Sequence, residues 1–66
     1  MEEIDIWRTA KILIDSHGEQ AELQAAMRAD QLLNEGDTAG FAAMKRVVSA
    51  INELDRTTIK PGERAN

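Results

Sequence analysis

Residues 19–37 read EQAELQAAMRADQLLNEGD, and this stretch decides the fold. Ala21, Ala25, Ala29 and Leu32 recur at helical spacing and form one apolar stripe, with Ala26 and Leu33 on its flank. Nearly every residue between Glu19 and Glu35 is a good helix former. Alanines four apart make a smooth ridge, so a neighbouring helix can approach closely. Gly36 is a natural stop, because glycine accepts the left-handed backbone that ends helices. Asp37 then stands where an N-cap is needed, its carboxylate free to accept bonds from open backbone N–H groups. A helix is expected over about 19–35.

The same logic extends to both sides. Upstream, Ile6, Trp7, Ala10, Leu13, Ile14 and His17 fall on one face at about 100° per residue. The acids Glu2, Glu3 and Asp5 lie where the helix dipole favours negative charge, and Gly18 supplies a stop. This predicts a helix over about 3–16. Downstream, Ala39, Ala43, Met44, Val47, Val48, Ala50, Ile51 and Leu54 cover a broader arc, so a third helix over about 38–56 should be the most buried. No alternating apolar pattern competes for a strand. Short connections at Gly18 and Gly36 favour antiparallel neighbours. The expected fold is all-α: a three-helix up-down-up bundle over residues 1–56, with a disordered tail over 57–66 that contains Pro61 and Gly62.

At 66 residues, one small domain with a small core is expected. The sequence has no cysteine and one histidine, so neither a disulfide nor a structural zinc is expected to brace it. Well-packed helices, or surface buried in a complex, must supply the stability. The chain opens on Met1 and is read as a complete small protein. Glu2, Glu3 and Asp5 follow instead of a basic leader, and no apolar run approaches a membrane span, so a cytoplasmic protein without membrane contact is expected. Net charge is −4. Nine acids and three bases lie up to Asp37, and three acids and five bases follow it. Such a balance disfavours nucleic acid as the partner, because phosphate contacts supply most of that affinity.

Trp7, Ala10, Leu13, Ile14, His17, Gly18 and Ala21, followed by Arg28, Ala29, Asp30, Leu32, Leu33, Gly36, Asp37 and Gly40, resemble a group of small proteobacterial helical proteins classed as domains of unknown function. The likeness spans about residues 6–56. It implies a helical fold and a bacterial origin, and carries no activity. The second tryptophan common in the last helix of that group is replaced here by Met44 or a neighbour. Leu32, Leu33, Gly36 and Asp37 also resemble the turn of tetratricopeptide helix pairs, but the chain has room for fewer than two such repeats.

Candidate chemistry is sparse. His17 reads as a helix-end residue whose ring packs while a nitrogen meets a last-turn carbonyl, since no nucleophile or ligand set accompanies it. Asp15–Ser16 resembles the phosphopantetheine site of acyl carrier proteins, but the long loop that precedes that serine is missing. Helix C-terminus, or Ser16 capping toward Glu19, is the better reading. Arg28 and Asp30 suggest surface ion pairing. Phosphate loops, nucleotide fingerprints and metal-binding His-Glu spacings are absent from the sequence. The chain is therefore read as a non-enzyme, with no catalytic, cofactor or metal residues and no small-molecule substrate.

Trp7 is expected to anchor the core. The apolar residues off the stripes carry the functional reading. Ile12 points away from its helix's core face, Leu23 and Met27 lie four apart away from the alanine stripe, and Ile4 and Phe41 sit at margins. Ile12, Leu23, Met27 and Phe41 are the expected partner-binding residues. The expected function is a protein–protein interaction module (an adaptor, accessory subunit or regulator) that binds another protein or a second copy of itself. Two further readings stay open: an acidic inhibitor, such as an antitoxin or a phage-encoded blocker, and a weak nucleic-acid binder using the basic third helix.

Overall fold

A computed structural model describes residues 2–57. Among these residues the chain is all-helical, without a strand. It forms two continuous helical stretches, residues 3–34 and 38–57, rather than three helices set apart by loops. The first stretch comprises α1 (Glu3–His17), a 3₁₀ turn (Gly18–Gln20) and α2 (Ala21–Asn34); the second is α3 (Thr38–Thr57).

The expected loop at Gly18 is thus a helical turn, because a single residue makes the whole break. Gly18 takes φ +56° and ψ −122°, a backbone open to glycine and strained for any L side chain. Its N–H still donates to the Ile14 carbonyl, closing α1. The N–H of Ala21 then donates to the Gly18 carbonyl, so helical bonding resumes at once. Gln20 occupies the N-cap position of α2 without a side-chain cap, so the Ser16–Glu19 capping expected there is not what starts the helix.

The second break is built as the sequence suggests. Gly36 has φ +83°, its N–H donates to the Leu33 carbonyl at 3.0 Å, and the Asp37 N–H donates to the Leu32 carbonyl at 2.9 Å. This pair of bonds is a Schellman stop. Asp37 is at once the residue after that stop and the cap of α3. Its Oδ1 accepts the Gly40 N–H at 2.8 Å, and its carbonyl accepts the Phe41 N–H at 2.9 Å. The Asp37 carboxylate lies where a β-carbon on Gly40 would go, 2.6 Å from Oδ2.

The buried residues are Ile6 and Ala10 of α1, Ala21, Ala25 and Ala29 of α2, and Val47, Ala50 and Ile51 of α3. Five of these eight are alanines, so Ile6, Val47 and Ile51 supply most of the core's volume. Leu13, Ile14, Met44, Val48 and Leu54 pack around them, half-buried. As expected, α3 lies against both other helices, more extensively against α2, while α1 and α2 touch each other least. Close approach along the alanine stripe explains why so thin a core suffices. The disordered tail expected over 57–66 lies outside the described residues, apart from Thr57, which belongs to α3.

Candidate interaction surfaces

On α2, burial of Ala21, Ala25 and Ala29 fixes which way the opposite side points. Leu23 and Met27, one turn apart, are 54% and 55% exposed on that outward side. Helical spacing puts Glu19 one turn before Leu23 and Asp30 one turn after Met27, and both are exposed. Neither Arg28 nor Asp30 forms the expected surface ion pair among the described residues. Arg28 Nη1 donates to Gln31 Oε1 at 3.1 Å, and Gln31 Nε2 donates to Glu35 Oε2 at 3.3 Å. This chain of bonds leaves the Asp30 carboxylate to solvent on the Leu23–Met27 side.

The other expected partner residues divide. Ile12 is 62% exposed on the outer side of α1. Phe41 is half-buried in the first turn of α3 and so less open than Ile12, Leu23 and Met27. His17 is exposed at the end of α1 instead of packing, because the apolar face runs out at Gly18 before another helix can cover the ring.

Trp7 departs from expectation most. It is 38% exposed, and the core closes on Ile6 and Ala10 instead. An indole needs space that an alanine-lined core lacks, so Trp7 lies at the edge of α1 facing α3. There it helps to line an open groove of about 400 Å³. Ile6 and Ala50 form the buried floor, and Lys45, Ser49 and Glu53 of α3 stand opposite Trp7. An ion pair between Arg46 and Glu3 joins the two helices at this groove. Ile4, 60% exposed, stands one turn before Trp7, and Arg8 one turn after Ile4. The sequence held one signal for this site: Trp7 sits about 100° round the helix from Ile6, at the edge of the stripe and not its centre.

The two surfaces differ in charge: the groove is lined by two acids, Glu3 and Glu53, and two bases, Lys45 and Arg46. On α1 and α3, Lys11 pairs with Asp15 at 3.5 Å and Arg46 pairs with Glu3, which leaves Arg8 and Lys45 without an ion pair among the described residues. Along α2 and the turn before it, Glu19, Glu22 and Asp30 are exposed, with Arg28 the single base. Among the described residues no group of three or more His, Asp or Glu side chains could hold a metal ion, and no helix is long and apolar enough to cross a membrane. No protein-family model matches the chain, and no significantly similar curated protein or solved structure was found.

Proposed function

We propose that this protein is a small helical interaction module, an adaptor or regulator of cytoplasmic location, whose business end is the outward side of α2. One observation carries the reading: Leu23 and Met27 stand more than half exposed, one turn apart, directly away from the alanines that bind α2 to the core. Two adjacent aliphatic anchors flanked by Glu19 and Asp30 suit helix-on-helix docking, with a dry centre and a charged rim. Ile12 is an outlying member of the surface. The three α-helical segments are taken as an up-down-up bundle, in which the Glu3–Arg46 pair sets the start of α1 beside the middle of α3. Affinity capture from the host with the wild-type chain and with Leu23→Asp and Met27→Asp tests the proposal. Loss of one defined partner by both variants, at unchanged helicity, is expected; capture of the same proteins by all three chains refutes it.

Within this reading the exposed acids Glu19, Glu22 and Asp30 favour a basic target site, as an inhibitory protein would cover. The nucleic-acid alternative uses the basic third helix, whose bases include Lys45 and Arg46. Of these, Arg46 is engaged by Glu3.

A further inference from the structure

We infer that the partner seated on the outward side of α2 is a cationic amphipathic helix of another protein, lying along α2 with its basic edge against Glu19, Glu22 and Asp30. The inference rests on the docking surface proposed above and adds the chemistry of its occupant. Three observations carry it. Leu23 and Met27 offer two aliphatic anchors one turn apart, on a helix of 14 residues that gives a partner helix about four turns to lie along. The charge beside these anchors is one-sided: at helical spacing Glu19, Glu22 and Asp30 fall on one edge of the Leu23–Met27 line, and Gln24 and Gln31 on the other. The three carboxylates also lack partners within the chain. None makes an ion pair or a hydrogen bond among the described residues, and the nearby base, Arg28, is held by Gln31 on the neutral edge.

Asp30 points to a partner most directly. Glu19 and Glu22 lie at the start of α2, where the helix dipole favours a negative charge for the helix's own sake. Asp30 lies toward the other end, where the dipole no longer favours it, and aspartate is a poor helix former. A cation from outside supplies what it lacks. Glu19 and Asp30 stand about 16 Å apart along the axis, so the partner's bases are set about three turns apart with apolar residues between them.

A second copy of this chain fits poorly. Two α2 helices laid antiparallel about their Leu23–Met27 centres bring Glu19 of one copy nearly level with Asp30 of the other, placing like charges together. The open apolar residues of α1, Ile4 and Ile12, share their side with Asp5 and Asp15 as well as Arg8 and Lys11, so that side is not basic. The groove beside Trp7 is likewise balanced in charge.

Three fluorescein-labelled synthetic peptides of about five helical turns test the inference. The first has a leucine stripe with lysines along one edge, the second has the same composition with the stripe scrambled, and the third has glutamates in place of the lysines. Each is titrated with the full chain at low salt and followed by fluorescence anisotropy. The first peptide is expected to bind and the other two are not. Leu23→Asp and Met27→Asp should each weaken its binding by about thirtyfold or more. Glu19→Gln combined with Asp30→Asn removes two exposed ion pairs and should weaken it by about three- to tenfold. The same change in net charge made away from α2, Glu2→Gln at the start of α1 with Glu53→Gln in the groove, should alter binding by no more than about twofold. All variants are at exposed positions, and circular dichroism confirms that each is folded.

Lysine-edged and glutamate-edged peptides that bind equally, with binding lost in Leu23→Asp, overturn the inference and leave the α2 docking surface standing without a preference for charge. Equal weakening by the two neutralised pairs also overturns it, because the attraction is then that of any acidic protein for a cation. A chain that sediments as a dimer and returns to monomer with Leu23→Asp places a second copy on α2 and overturns it as well. Lysine-edged binding untouched by both Leu23→Asp and Met27→Asp overturns the inference and the α2 surface together. No binding of the lysine-edged peptide up to about 1 mM overturns the inference alone, and capture from the host then decides the α2 surface separately.

Discussion

Replacing Ile51 by alanine separates the inside of this protein from its outside. Ile51 and Val47 are the largest side chains that are fully buried, and Ile51 meets the shared core of all three helices. Truncating a buried isoleucine to alanine costs about 2–5 kcal/mol, the upper end applying where neighbours cannot collapse into the space. Collapse is poor here, because Ala10, Ala21 and Ala25 have no length to extend into a void. Against this stands a small reserve: a chain below about 70–80 residues holds about 3–5 kcal/mol of net stability. Ile51→Ala should therefore consume most of it and leave a substantial unfolded population at 25 °C without denaturant. Leu23→Ala removes a similar side chain from an exposed site, and should change stability by no more than about 0.5 kcal/mol. Urea titration followed by circular dichroism at 222 nm measures both, with the slope checked to confirm that the unfolded reference is unchanged. A cost below about 1 kcal/mol for Ile51→Ala, or an equal cost for Leu23→Ala, would show that the packing is not as described.

Two further predictions concern the breaks. Gly18→Ala should cost about 1–3 kcal/mol through backbone strain alone, since no atom lies within 4 Å of the added β-carbon. D-alanine at position 18, for which φ +56° and ψ −122° are ordinary, should instead stabilise the chain by up to about 1 kcal/mol, measured by denaturation of the synthetic protein. At the start of α3, Asp37→Ala should cost about 0.5–2 kcal/mol through loss of the bond to Gly40. Gly40→Ala should yield little in the wild type, because its β-carbon meets the capping carboxylate. In the Asp37→Ala background the same change should stabilise by about 1 kcal/mol. A double-mutant cycle showing no coupling would remove the clash from the account.

The sequence by itself determined the all-helical character, the helix limits to within a residue or two at most ends, the Gly36–Asp37 stop-and-cap, and the alanine stripe of α2. Each is a local matter: periodicity, propensity and cap chemistry act within one or two turns, so neighbouring residues record them. The outward exposure of Leu23, Met27 and Ile12 followed for the same reason, since a side opposite a buried stripe is fixed by geometry on one helix. Tertiary structure decided the rest. Whether Gly18 opens a loop or a helical turn depends on a ψ value that residue identity leaves free. Trp7 and Phe41 lie at the margins of their stripes, where the neighbouring helix decides burial; Lys45, Ser49 and Glu53 of α3 stand across a groove from the indole and leave it partly open. The groove unites Trp7 with Lys45 and Glu53, and the ion pair joins Glu3 to Arg46 across more than forty positions of chain. Such sites depend on how rods pack, which no single helix encodes.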